Sequence, residues 1–86
     1  MPKLMPPTHP GEVLLKDFMR PMGLTVDVLA ASLRVPASLI TAIVAETGSV
    51  TTDTASRLER YFDTSAALWT NLQAKYDRLT AEDRAR

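Results

Sequence analysis

The segment from Val26 to Ala45 constrains the fold more than any other part of this chain. Its apolar side chains fall at Leu29, Leu33, Val35, Ile40 and Ile43, with the small Ala30 among them. Leu29 and Leu33 stand four apart and share one face of a helix. Ile40 and Ile43 stand three apart and mark the inner face of a second. Ala30 falls where two crossing helices come closest, since a larger side chain would push the axes apart. Arg34, Val35 and Pro36 form the connection, and Pro36 suits a fresh helix start. The intervening residues are short and polar, which leaves one face of the second helix free. Such a pair is a helix-turn-helix, and the free face has the shape to lie in a DNA groove. Two helices joined by a turn also occur in any small bundle, so a purely structural reading stays open.

The rest of the chain reads as further helices. Residues 1–9 form a proline-rich arm, with prolines at 2, 6 and 7 and another at 10 opening the domain. Each proline lacks an amide hydrogen and disfavours helix at the residue before it. Pro10-Gly11-Glu12 starts a helix, with Glu12 near its positive end. Val13, Leu14 and Phe18 give its buried face, and Pro21 and Gly23 close it. Thr25 caps the next helix. After the loop Thr47-Gly48-Ser49, Thr51 or Thr52 caps a fourth helix carrying Ala55, Leu58, Tyr61 and Phe62, and Asp63 ends it. Thr64 or Ser65 caps a fifth, with Leu68, Trp69, Leu72, Tyr76 and Leu79 on one broad face. The expectation is an all-α fold of five helices: a domain over residues 10–80, then a charged tail over 81–86 that frays.

Length and composition bound the function. Eighty-six residues make one domain, near the lower size for a self-sufficient core, and dimerisation is an expected remedy. The absence of cysteine excludes disulfides, thiol nucleophiles and thiolate metal sites. No apolar run approaches membrane-spanning length, so no membrane partner is expected and the cytosol is the expected compartment. Ten basic and ten acidic residues cancel. Affinity for DNA comes mainly from cations that neutralise phosphates, so binding here needs basic residues gathered on one side or contacts doubled by a dimer.

Nothing in the sequence assembles a catalytic centre. His9 is the only histidine, and no second imidazole or carboxylate stands at ligand spacing near it. In a proline-rich arm it reads as a solvated or packing residue. The serines have no histidine or lysine at an evident triad spacing, and the three glycines are too scattered to cradle a phosphate. Glu12 and Asp17 are five apart and diverge on a helix. The expectation is a protein that is not an enzyme, with no cofactor and no metal.

Trp69 and Tyr76 lie seven apart and share a helix face. So small a domain can bury only part of the fifth helix. Leu68 and Leu72 are expected in the core, with Trp69, Tyr76 and Leu79 contributing to a dimer interface that borders Leu72. Arg57 and Arg60 face outward beside Glu59, as a solvated face or as phosphate contacts.

The motifs His9-Pro10-Gly11-Glu12-Val13-Leu14, Pro21-Met22-Gly23-Leu24-Thr25, the helix-turn-helix and Leu68-Trp69-Thr70-Asn71-Leu72-Gln73 together resemble HigA-type antitoxins. These are a branch of the XRE family, relatives of the lambda and Cro repressors, and the match runs from Pro7 to Asp77. The resemblance implies a five-helix lambda-repressor-like domain that dimerises and binds a palindromic operator at its own promoter. It also implies a partner, a small basic RelE-like toxin of the HigB type that cleaves mRNA on the ribosome. The chain departs from the family pattern at the turn. Arg34 stands where glycine is common, Pro36 where a capping serine is common, and Ala37 and Ser38 where Arg or Lys often stands. No residue from Pro36 to Ala45 can make the two-pronged contact that arginine makes with guanine.

The resulting expectation is a dimeric repressor and antitoxin. Ala37, Ser38, Thr41 and Ala42 enter the major groove, and Arg34 meets phosphate or a base edge. Thr25 with its helix N-terminus binds phosphate, and Thr47 and Ser49 meet the backbone. Trp69, Leu72, Tyr76 and Leu79 form the dimer interface. One alternative is a protein-interaction antitoxin whose helix-turn-helix is scaffold; another is a stand-alone regulator with no toxin. The placement of Lys16, Arg20, Arg34, Arg57 and Arg60 separates the first two readings. A small basic reading frame next to the gene separates the third.

Overall fold

The computed structural model describes residues 8–84, and every regular element among them is helical. We number five helices. α1 runs over residues 10–22 in three continuous pieces, α-helical at Pro10–Val13, π-helical at Leu14–Met19 and α-helical again at Arg20–Met22. α2 is Val26–Leu33, α3 is Ala37–Val44, α4 is Thr52–Phe62 and α5 is Ala66–Arg84. The all-α, five-helix expectation is the architecture found.

Local chemistry places most of the ends. Thr25 and Thr51 cap α2 and α4, their hydroxyl oxygens accepting from the Val28 and Thr54 amides at 3.2 Å. Ser65 accepts from the Ala67 amide at 3.0 Å at the start of α5. At the other ends the chain turns left-handed at Gly23, Arg34, Glu46 and Asp63. After α2 the Val35 amide reaches the Ala30 carbonyl, and after α3 the Thr47 amide reaches that of Ala42. These six-to-one bonds satisfy carbonyls that a helix end leaves open.

Two helices depart from expectation. The π-helical stretch of α1 bonds each amide five residues back, as Arg20 does to the Leu15 carbonyl. The wider turn brings Leu14 and Met19 to one face, and both are buried. An ordinary helix would separate residues five apart by well over a quarter-turn, which is why α-periodicity overlooks Met19. α5 runs past the expected boundary at Thr80 and continues to Arg84. No glycine or proline follows Ala66, and alanine, glutamate and arginine are strong helix formers.

The core lies where all five helices meet. Leu29, Ala30, Leu33, Ile40 and Ile43 of the helix-turn-helix are buried, as their spacing predicts, together with Ala55, Leu58 and Trp69. Trp69 has no exposed surface, whereas Leu68 is 38% exposed. The expectation that Leu68 is core and Trp69 interface therefore fails: Trp69 is core and Leu68 is at the surface. The Trp69 indole packs 5.3 Å from the Phe18 ring and donates from Nε1 to the Thr64 hydroxyl at 3.0 Å. A buried indole needs such a partner, and Thr64 supplies one at the interior edge.

Of the expected arm, residues 1–7 lie outside the described residues. His9 is not solvated: it is 2% exposed and caps α1, its Nδ1 accepting from the Gly11 amide at 2.8 Å. The imidazole meets the Tyr76 ring edge-on with centroids 4.7 Å apart, joining the start of α1 to α5. A Cβ on Gly11 would lie 1.8 Å from the Ile43 carbonyl oxygen, so only glycine lets α1 approach α3 this closely.

Candidate nucleic-acid interface

The turn into α3 is held from the side. Arg34 takes the left-handed position at φ 61°, where its amide bonds the Ala31 carbonyl at 3.2 Å. Arg57 on α4 reaches the same turn, donating from Nη1 to the Leu33 carbonyl at 2.8 Å and from Nε to Asp53 at 2.8 Å. One guanidinium thus satisfies a carbonyl at the end of α2 and ties α2 to α4. The Asp53/Arg57 pair is legible as an i,i+4 spacing, but the Leu33 carbonyl as its second target is not.

The far end of α3 is held as firmly. The Ala42 carbonyl accepts from the Thr47 and Gly48 amides at 2.9 and 3.0 Å and from the Thr47 hydroxyl at 3.3 Å. Val50 then donates its amide to buried Gln73 Oε1 at 2.8 Å, and Gln73 Nε2 donates to Asp77 at 2.9 Å. Gln73 therefore anchors the loop after α3 to α5. It escapes sequence reasoning because glutamine is usually a surface residue.

The structure divides the expected DNA-facing residues. Ser38 and Thr41 are exposed on α3, and Thr25, Arg34, Thr47 and Ser49 are exposed on its flanks. Ala37 and Ala42 are not fully outward as expected. Ala37 is half-buried against the core. Ala42 is half-buried beneath the following loop, where a Cβ on Gly48 would come within 2.9 Å of its own. The exposed stripe is instead Ser38 and Thr41 of α3 with Ala45, the residue at its C-cap, at i, i+3 and i+7.

Charge collects beside the turn. Arg34, Arg57 and Arg60 line one open cleft with Ser32, Leu33 and Tyr61. Lys16 and Arg20 lie on α1, where Lys16 pairs with Glu12 at 3.3 Å. Three of the five informative basic residues thus gather by the helix-turn-helix, although the chain is neutral as a whole. Among the described residues no group of three acidic, histidine or cysteine side chains converges to hold a metal. No helix there is long and apolar enough to cross a membrane.

Of the four residues expected at a dimer interface, Trp69 is excluded because it is wholly inside its own subunit. Tyr76 is half-buried against His9, and Leu72 is half-buried against the core. Leu79 is half-buried, and Leu68 stands exposed on the same helix.

No family model matches the chain. Virulence-associated protein I of Dichelobacter nodosus is 47% identical over 78 residues, covering 91% of this chain and 72% of that protein. Pseudomonas aeruginosa antitoxin HigA, solved with the higBA promoter, matches with a TM-score of 0.89 at 42% identity, over 91% of this chain and 85% of that one. Antitoxin GraA in complex with its operator matches with a TM-score of 0.87 at 38% identity, over 96% and 84% of the two chains. Likeness at this level covers most of both chains, and the chain belongs to the HigA-type antitoxins, a branch of the XRE helix-turn-helix DNA-binding family.

Proposed function

We propose that this protein is an antitoxin that binds operator DNA as a dimer, represses its own operon and neutralises a RelE-like toxin by direct binding. The observation that carries the DNA half is the exposed stripe of Ser38 and Thr41 on α3 with Ala45 at its C-cap, flanked by the cleft of Arg34, Arg57 and Arg60. A bare helix face enters the major groove, while neighbouring cations and the capped start of α2 at Thr25 meet phosphates. Thr47 and Ser49, held beyond α3, supply backbone contacts on the other side. Two relatives of the same fold were solved with promoter or operator DNA.

The dimer forms along the edge of α5 that borders the core, where exposed Leu68 and half-buried Leu72 and Leu79 stand on one side. Two copies that read a palindrome set their α3 helices about 34 Å apart, one turn of DNA. The toxin is the expected second partner, encoded by a small basic reading frame beside this gene.

A second reading has its own observation. The exposed stripe of α3 carries no basic side chain, and the chain has no net charge. An antitoxin that acts only by protein contact fits both facts. Binding of the purified protein to its own upstream DNA at two salt concentrations, against a scrambled duplex, separates the two. Preference that weakens as salt rises supports the repressor. Equal binding to both duplexes at low salt, together with capture of the adjacent toxin, supports the interaction module.

A further inference from the structure

We infer that α3 selects its operator at A·T pairs, through contact between its small side chains and thymine methyl groups, and not through hydrogen bonds to guanine. This rests on the operator-binding reading above. The outer face of α3 is Ser38 and Thr41, continued by Ala45 at its C-cap. Leu39, Ile40, Ile43 and Val44 are turned into or against the core. Guanine is read by the two prongs of arginine or by lysine, and adenine by asparagine or glutamine; α3 has none of these. Arg34, in the turn before α3, lines the side cleft with Arg57 and Arg60. Pooled charge of that kind matches phosphate, which carries no base identity.

What remains on the stripe is two hydroxyls and the methyl groups of Thr41 and Ala45. A hydroxyl donates to or accepts from either purine or pyrimidine and separates them poorly. A methyl group meets the C5 methyl of thymine, and cytosine offers no counterpart. None of the three side chains extends more than one heavy atom beyond Cβ, so the helix backbone can sit close to the base edges. The Ala42 carbonyl bonds and the Arg57 contact hold both ends of α3, so the stripe meets the bases as a firm surface.

The test replaces thymine by uracil in the protein's own upstream duplex, which removes the C5 methyl and leaves pairing intact. A parallel duplex replaces guanine by 7-deazaguanine, which removes the N7 acceptor. A scrambled duplex is the control, and Thr41→Ser is run beside the wild type. The expected result is retained preference over the scrambled duplex, affinity about fourfold lower for each contacted methyl removed, and no response to 7-deazaguanine. Thr41→Ser, which lacks the protein methyl, should bind thymine and uracil alike at one position per half-site. Retained preference with a loss only on 7-deazaguanine would overturn the inference in favour of guanine reading by Arg34. Retained preference insensitive to both bases would overturn it in favour of DNA shape. Equal binding to native and scrambled duplexes at low salt would remove the operator reading itself, and the inference with it.

Discussion

Arg57 and Leu33 are 24 residues apart in sequence, yet Nη1 of the first donates to the carbonyl of the second at 2.8 Å. The bond closes the end of α2 and fixes the turn from which α3 departs. Arg57→Ala should lower stability by about 1–3 kcal/mol, since a charge-assisted bond is lost and a helix-end carbonyl left open. Thermal unfolding would show a fall of roughly 4–8 °C per kcal/mol in a domain this small. An unchanged midpoint would mean that water replaces the guanidinium at no cost.

Arg34 occupies a left-handed position that costs an L-residue about 1–2 kcal/mol. Arg34→Gly should therefore raise the unfolding free energy, by up to about 1 kcal/mol after the extra backbone freedom of glycine is counted. The same change should weaken DNA binding across all sequences and reduce the salt slope by about 2, as loss of one phosphate contact from each subunit of the dimer does. Opposite signs in the two assays would separate the folding cost of Arg34 from its use.

Gly11→Ala should be severe. The added Cβ would meet the Ile43 carbonyl oxygen at 1.8 Å, a backbone atom that cannot rotate away. Overpacking of this kind costs roughly 1–3 kcal/mol or more. Chemical denaturation should show a lowered midpoint, and hydrogen exchange should show the start of α1 opening first.

Trp69→Ala should cost about 3–5 kcal/mol through the cavity it leaves. Trp69→Phe keeps most of the volume and removes the indole bond to Thr64, so it should cost about 1 kcal/mol beyond the packing change. Because Trp69 is wholly buried, the phenylalanine variant should keep the oligomeric state of the wild type in sedimentation. A shift to monomer in that variant alone would place the ring at a subunit boundary after all.

Thr41→Arg adds a cation to the exposed stripe of α3. Its unfolding free energy should stay within about 0.5 kcal/mol of the wild type, as for other exposed substitutions. Binding to unrelated DNA should strengthen, with a salt slope steeper by about 2 for the dimer, one added cation per subunit. Loss of folding would contradict the orientation of α3.

Much of this protein was legible in order along the chain. The apolar spacing of Leu29, Leu33, Ile40 and Ile43, the caps at Thr25 and Thr51, and the stops at Gly23 and Asp63 depend on contacts within about one helical turn. Side-chain type and spacing determine such contacts directly. The two alanines of α3 were harder, because half-burial of Ala37 and Ala42 depends on what the core and the following loop lay over them. The π-helical stretch of α1 was hidden for a related reason: burying Leu14 and Met19 together rewards an extra residue per turn only when a core is present to receive both. Trp69 and Leu68 are adjacent, and a rotation of α5 by one residue would exchange them; the packing of Phe18 and the hydroxyl of Thr64 decide the matter. The sequence by itself determined five helices and two of the residues, Ser38 and Thr41, on the free face of the third. Only the tertiary structure decided how that face is held, because Arg57 to Leu33, Gln73 to Val50 and His9 to Tyr76 join residues whose separation along the chain carries no periodic signal.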